Sequence, residues 1–191
     1  MNIRDFFTTV NLDLSMIDID GLAKTFTHGY ADPSEDKSLG TINFYSIDAE
    51  VKDYVKSLLP AELQPWIRNV RVSIIEGRTI VPHRDHRGAV CINYYFVPGS
   101  ARTTFWTANP TAIAIRAPGE YTDNVYRFED ISEECSFVAG TNSCYLLNTG
   151  EIHSVGMERA DSVRKMIQLT FAPDMTYQPV LNKLHELNLV N

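Results

Sequence analysis

The sequence predicts a mainly β protein, an antiparallel sandwich or jelly roll flanked by helices. The main reason is a change of texture at Asn69, after which short β-branched or aromatic segments alternate with Gly, Pro and polar turns. That pattern reads as roughly eight to ten strands over about 100 residues with no helix between them. Helical spacing is confined to the two ends of the chain. The length of 191 residues suits one domain, and 44% hydrophobic residues can build a core.

Residues 1–68 read as a mostly helical N-terminal part packed on the core. Asp18 or Asp20 can cap a short helix through Leu22 and Phe26 that stops at Gly29. Residues 29–40 are dense in turn formers and charge, and read as a surface loop and candidate lid. After Ser46, Ile47, Val51, Tyr54, Val55 and Leu58 share one helical face that ends before Pro60. The jelly-roll core spans 69–172, with strands in VRVSII, TIVPHRD, AVCINYYFV, RTTFWTA, VYRFED, CSFV, SCYLLN, EIHSV and RKMIQLTF. Residues 173–191 return to helical spacing through Val180, Leu181, Leu184 and Leu187. No composition shift or linker divides residues 1–191, so a single domain is expected.

The formal charge is −7, from 17 Lys and Arg against 24 Asp and Glu. Net acidity weighs against a nucleic-acid-binding protein, which usually shows a basic surface. Cys91, Cys135 and Cys144 are odd in number and form no CxxC pair. They suggest free or buried thiols in a reducing, cytoplasmic setting. The charged N-terminus does not read as a signal peptide, and no apolar run reaches membrane-spanning length.

The chemistry concentrates in VPHRDHRG (81–88) and in the stretch from Leu146 to Phe171. Residues two apart on a strand share a face, so His83 and Asp85 aim an imidazole and a carboxylate the same way. Alone the pair has little weight, because five His among 24 acidic residues produce such spacings by chance. Its context adds weight: a strand running into Gly88, and His153 just after the turn NTG. Two imidazoles and one carboxylate on one face of an octahedron leave three positions open, the arrangement of non-haem Fe(II) oxygenases. His86 has the opposite parity and is expected off the metal face; His28 and His185 are assigned no role.

Arg164 follows His153 by eleven residues on what reads as the next strand. A dicarboxylate held on a metal at one end needs a cation at the other, and the planar guanidinium grips a carboxylate through two donors. Parity groups Arg164 with Met166, Gln168 and Thr170, and Lys165 with Ile167, Leu169 and Phe171. Arg164 is the preferred anchor and Lys165 the alternative. Asn93, Tyr95 and Trp106 are candidate co-substrate or substrate contacts, with Thr104 sharing the face of Trp106. Arg78 and Arg102 flank strand ends and carry no assignment.

Together His83-x-Asp85, His153 and Arg164 resemble the signature of the 2-oxoglutarate/Fe(II)-dependent oxygenase superfamily. PHRDHRGAVCINYYF and LLNTGEIHSVGMERADSVRKMIQLTF resemble core strands of its aspartyl/asparaginyl β-hydroxylase-like and prolyl-hydroxylase-like branches. The resemblance covers about half the chain. Some members of the aspartyl-hydroxylase branch lack the carboxylate ligand, which this chain keeps as Asp85. The resemblance implies a double-stranded β-helix, cupin-like, with Fe(II) on His83, Asp85 and His153. It also implies 2-oxoglutarate on Arg164, O₂ as oxidant, and release of succinate and CO₂.

The expected activity is hydroxylation of a peptide side chain, an amino acid or a small metabolite. A nucleic-acid-oxidising member of the same superfamily is an alternative, because Arg68, Arg71, Arg78, Arg84, Arg87 and Arg102 cluster around the motif. A non-catalytic jelly-roll binding protein is another. A zinc hydrolase fits poorly, since Val81 stands where its first His would be needed.

Overall fold

The computed structural model describes residues 3–22, 29–31, 41–76, 79–85, 89–116, 122–159 and 161–190. Ten core strands run in order: β4 (Ile67–Glu76), β5 (Thr79–Asp85), β6 (Cys91–Val97), β7 (Ala101–Ala108) and β8 (Ile115–Arg116), then β9 (Thr122–Val125), β10 (Ile131–Val138), β11 (Ser143–Leu147), β12 (Ile152–Met157) and β13 (Val163–Phe171). Three more precede them: β1 (Phe7–Thr9), β2 (Gly29–Ala31) and β3 (Thr41–Ser46).

Among the described residues one sheet has the order β1-β11-β6-β13-β4-β3-β2, and the other β10-β7-β12-β5-β9-β8. Successive core strands alternate between the sheets: β4 lies in the first, β5 in the second, β6 in the first, β7 in the second. From β10 to β13 the alternation repeats. Neighbouring strands pair antiparallel. This is a jelly roll, as the strand pattern predicted.

Alternation within each strand sorts side chains between two cores. On β4 and β13, Val70, Val72, Ile167, Leu169 and Phe171 face the helices. There they meet α2 (Ala49–Ser57) and α3 (Tyr177–Glu186), which contribute Val55, Val180, Leu181 and Leu184. Leu14, Leu63 and Leu184 are fully buried in this layer, each worth about 2 kcal/mol of transfer free energy. Ile75, Met166, Tyr95, Ala101, Val155 and Met157 face inward between the sheets.

The helical expectations hold at α2 and α3. Lys52 N–H closes onto the Asp48 carbonyl at 2.9 Å, and Pro60 follows the end of α2. Tyr54 is 47% exposed, so the buried stripe of α2 is narrower than the sequence pattern. Pro179 lies in the first turn of α3, where a missing N–H costs nothing. Asp18 accepts from Gly21 N–H at 2.9 Å and begins α1 (Ile19–Leu22). Residues 23–28, the rest of that predicted helix, lie outside the described residues.

The N-terminal part is not mainly helical, however: β1, β2 and β3 all fall within residues 3–46 and extend the first sheet. β1 and β2 have only three residues each, too few for a two-residue period to register in sequence, and the six-residue β3 is not read as a strand from sequence. Their pairing with β11 and β4 defines them. The predicted loop at 29–40 therefore begins with strand β2, and 32–40 fall outside the described residues. VYRFED is also different: β9 ends at Val125, and Phe128–Asp130 form a 3-10 turn.

All three cysteines are free and buried. Among the described residues no helix is long and apolar enough to cross a membrane.

Candidate metal centre

His83 and His153 are direct cross-strand partners on β5 and β12. Their ring centroids lie 4.3 Å apart at an interplanar angle of 51°. Asp85, two residues along β5 on the same face, places Oδ1 3.6 Å from His83 Nε2. One ligand atom from each of the three lies within 4.8 Å of the others, close enough to hold a single metal ion. A shift in strand register after His153 marks an irregularity beside the site.

Backbone carbonyls orient the two imidazoles. His83 Nδ1 donates to the Val81 carbonyl at 2.8 Å, and His153 Nδ1 to the Glu151 carbonyl at 2.9 Å. A carbonyl can only accept, so both protons belong on Nδ1 and both Nε2 lone pairs point at the site. Asp85 N–H donates to the Thr149 carbonyl at 3.0 Å, and Gly150 N–H to the Ala89 carbonyl at 2.9 Å. The turn before β12 thus pins the end of β5. Burial, reinforced by neighbouring His83, lowers the His153 pKa to about 4. Near neutral pH its imidazole is uncharged, the form a metal requires. The donor set of two imidazoles and one carboxylate fits a non-haem iron site.

Arg164 projects from β13 into the space between the sheets and is 1% exposed. Its Nη1 donates to Thr103 Oγ1 at 2.9 Å, Nη2 to the Ala101 carbonyl at 2.8 Å, and Nε to the Pro98 carbonyl at 3.4 Å. Its guanidinium lies over the Tyr95 ring, 5.0 Å from the centroid. The turn that supplies these carbonyls needs Gly99 (φ +62°), where a Cβ would come within 2.6 Å of Ser162 Oγ. Among the described residues no carboxylate forms an ion pair with Arg164, and burial pulls its pKa down. A buried cation without an anion is costly. The arrangement is therefore suited to an incoming carboxylate.

Lys165 takes the other face, where it pairs with Asp20. Asn93 is buried and donates to the hydroxyl of Tyr95, whose ring lies under Arg164, at 3.3 Å. Trp106 departs from expectation. Its indole donates to Ser154 Oγ at 2.8 Å and its ring packs edge-on against Phe128, on the outer side of the second sheet. Strand parity explains this: Phe105 is the register partner of His153 and approaches its ring at 6.0 Å, so the next residue must face outward. The cross-strand register identifies Phe105; the isolated sequence of β7 does not.

His86, Arg78, Arg87, Gly88 and His28 lie outside the described residues. His185 is exposed on α3. Of the clustered arginines, Arg102 binds Ser136 on the outer side of its sheet and Arg84 pairs with Glu151 at 3.6 Å. A groove of about 370 Å³ lined by Met16, Ile17, Leu22, Val51 and Tyr54 lies among residues of α1 and α2 and includes none of His83, Asp85 and His153.

No protein-family model matches the chain, and no curated protein matches it in sequence. Solved structures do share its shape. One is the non-heme alpha ketoglutarate dependent epimerase SnoN from nogalamycin biosynthesis, at 16% identity and a TM-score of 0.52, covering 88% of this chain and 78% of that one. SnoN in complex with Fe3+, alpha ketoglutarate and nogalamycin RO gives 13% identity and a TM-score of 0.55, over 88% and 79% of the two chains. At such identity the likeness is one of fold, a jelly roll of this kind.

Proposed function

We propose that this protein is an Fe(II)- and 2-oxoglutarate-dependent oxygenase that hydroxylates a small metabolite, an amino acid or a peptide side chain. The observation that carries the reading is the pairing of the His83, Asp85 and His153 cluster with a buried Arg164 that meets no carboxylate among the described residues, inside one jelly roll. Thr103, which accepts from Arg164, stands two residues before the His153 partner Phe105. That is a rise of about 7 Å along the strand, a span suited to a five-carbon dicarboxylate. The fold neighbour SnoN, whose structure contains Fe3+ and alpha ketoglutarate, supports the same cofactor pair.

His83, His153 and Asp85 would hold the iron, and Arg164 the distal carboxylate of 2-oxoglutarate. Iron bound there would supply the redox chemistry that joins decarboxylation to succinate and CO₂ with oxidation of a substrate C–H bond by O₂. The chain's own part is to position and to exclude. The Nδ1–H bonds stop both imidazoles from rotating, and Asp85 supplies the anionic ligand. Tyr95, its hydroxyl kept protonated by burial, supports the Arg164 guanidinium from below with its ring. Phe105, Met166 and Val155 keep water from the chamber.

Epimerisation is a second reading, favoured by the SnoN likeness. It shares the binding steps and differs in product, which would gain no oxygen. The test is anaerobic titration of the protein with Fe(II) and 2-oxoglutarate, following the visible charge-transfer band of the chelate. Wild type should develop the band and His153→Ala should not. An identical response from both proteins would remove the proposal. A cytoplasmic setting belongs to the same reading, supported by the three free thiols.

A further inference from the structure

Resting on that reading, we propose that Asn148 is a positioning residue of the metal centre. Through it, Asp5 and Phe6 clamp the turn that orients Asp85 and His153, so metal affinity depends on the N-terminal segment.

The turn between β11 and β12, residues 148–151, serves two of the three ligands. The Thr149 carbonyl accepts from Asp85 N–H at 3.0 Å, and the Glu151 carbonyl from His153 Nδ1 at 2.9 Å. Glu151 N–H closes the turn by donating to the Asn148 carbonyl at 3.1 Å. Asn148 therefore sets where both ligand-orienting carbonyls sit.

Asn148 is itself held from the other end of the sequence. Its backbone N–H donates to the Phe6 carbonyl at 2.8 Å. Its Nδ2 donates to the Asp5 carbonyl at 3.0 Å, 143 residues earlier. A carbonyl only accepts, so the side-chain donor must be the amide nitrogen. Two donors of one residue thus grip two consecutive carbonyls. The ladder continues beyond them, with Phe7 paired to Leu147, Thr8 to Leu146 and Thr9 to Tyr145. A short strand near a terminus stays ordered only where it is tied down. Asn148 is the tie at the metal end.

A second contact leads from the same segment to the same ligand. The Phe6 side chain is 2% exposed, and its ring centroid lies 5.4 Å from that of Phe105. Phe105 in turn approaches the His153 ring at 6.0 Å. The imidazole is steadied by packing as well as by its hydrogen bond, and both trace back to Asp5 and Phe6.

Ligand geometry is sensitive to such support. Groups that orient the ligands from behind typically change metal affinity by about 10–100-fold when lost. A surface turn held by few bonds opens locally at low cost. Without the Nδ2 bond one bond of the clamp remains, so the expected loss is at the low end of that range.

The test has two arms, both on full-length protein. Mn(II) affinity is measured by electron paramagnetic resonance of free against bound metal, and amide hydrogen exchange is measured on metal-free protein. Asn148→Ala and Asn148→Leu, the second nearly volume-conserving, should each weaken Mn(II) binding by about tenfold. Asp85 N–H should exchange about tenfold faster in both variants, while Ile167 and Leu169 keep their wild-type rates in the helix-side core. Should one variant not fold, the other carries the same readouts. Loss of folding in both, or equal acceleration of Ile167, Leu169 and Asp85, would make Asn148 a support of the whole fold and overturn the proposal. Unchanged Mn(II) affinity in both variants, or an Asp85 amide that keeps its wild-type rate, would overturn it too. Failure of wild type to hold Mn(II) would instead defeat the metal centre and the proposed function, while Asp85 exchange still reads the clamp.

Discussion

Arg164 reaches from one sheet to hydrogen-bond Thr103 on the other, joining the two walls of the jelly roll through a single buried side chain. Its donors are met by a hydroxyl and two carbonyls, but its charge is met by no carboxylate among the described residues.

Replacing Arg164 with Met should therefore separate two effects. Stability should change by only about 1–2 kcal/mol, because lost hydrogen bonds are offset by removing a buried charge. Affinity for 2-oxoglutarate should fall by about 100-fold or more, the loss of a charge-assisted pair of hydrogen bonds. Calorimetric titration with Mn(II) present measures the second and urea unfolding the first. Unaltered co-substrate affinity would remove Arg164 as the anchor.

Lys165 is the control. Its partner Asp20 is 66% exposed on the side-chain measure, and an ion pair of that kind contributes under about 1 kcal/mol. Lys165→Met should leave 2-oxoglutarate affinity where it was. A loss comparable to that of Arg164→Met would reverse the assignment.

Metal binding should stabilise the fold through His83, Asp85 and His153. At a concentration 100 times its dissociation constant, Mn(II) should add about 2.7 kcal/mol to wild type. His83→Ala and His153→Ala should each lose that gain in thermal unfolding while their metal-free stability remains measurable. Full retention in either variant would exclude that residue as a ligand.

Acid should weaken the metal-free protein through His153. Its folded pKa of about 4 lies below the ordinary imidazole value of 6.5, so the unfolded chain binds the extra proton between those limits. Stability then falls as pH drops from 6.5 towards 4, by on the order of 3 kcal/mol in total. Denaturant unfolding at pH 7.5, 6 and 5 reads the slope, and His153→Gln should flatten it. Equal slopes in the two proteins would show that His153 does not carry it.

Leu184→Ala should cost about 2–5 kcal/mol, since Leu184 is 0% exposed where α3 closes the helix-side core. His83, Asp85 and His153 lie on the second sheet, away from α3, so metal affinity should hold. A change under about 1 kcal/mol would mean that α3 is not a structural part of the core.

Residue order alone determined the strand-rich core, the α2 and α3 stripes, and the shared face of His83 and Asp85. Each depends on periodicity within one short segment, which the backbone imposes locally. It also separated Arg164 from Lys165 by parity, but not which parity faced the chamber. That was decided by the helices, which cover Ile167 and Leu169 and leave Arg164 to the interior. The tertiary structure alone set His153 opposite His83, put Phe105 rather than Trp106 at the site, and recruited β1, β2 and β3 into the first sheet. These are matters of register between strands distant in sequence, and a one-residue slip would turn every side chain to the opposite face.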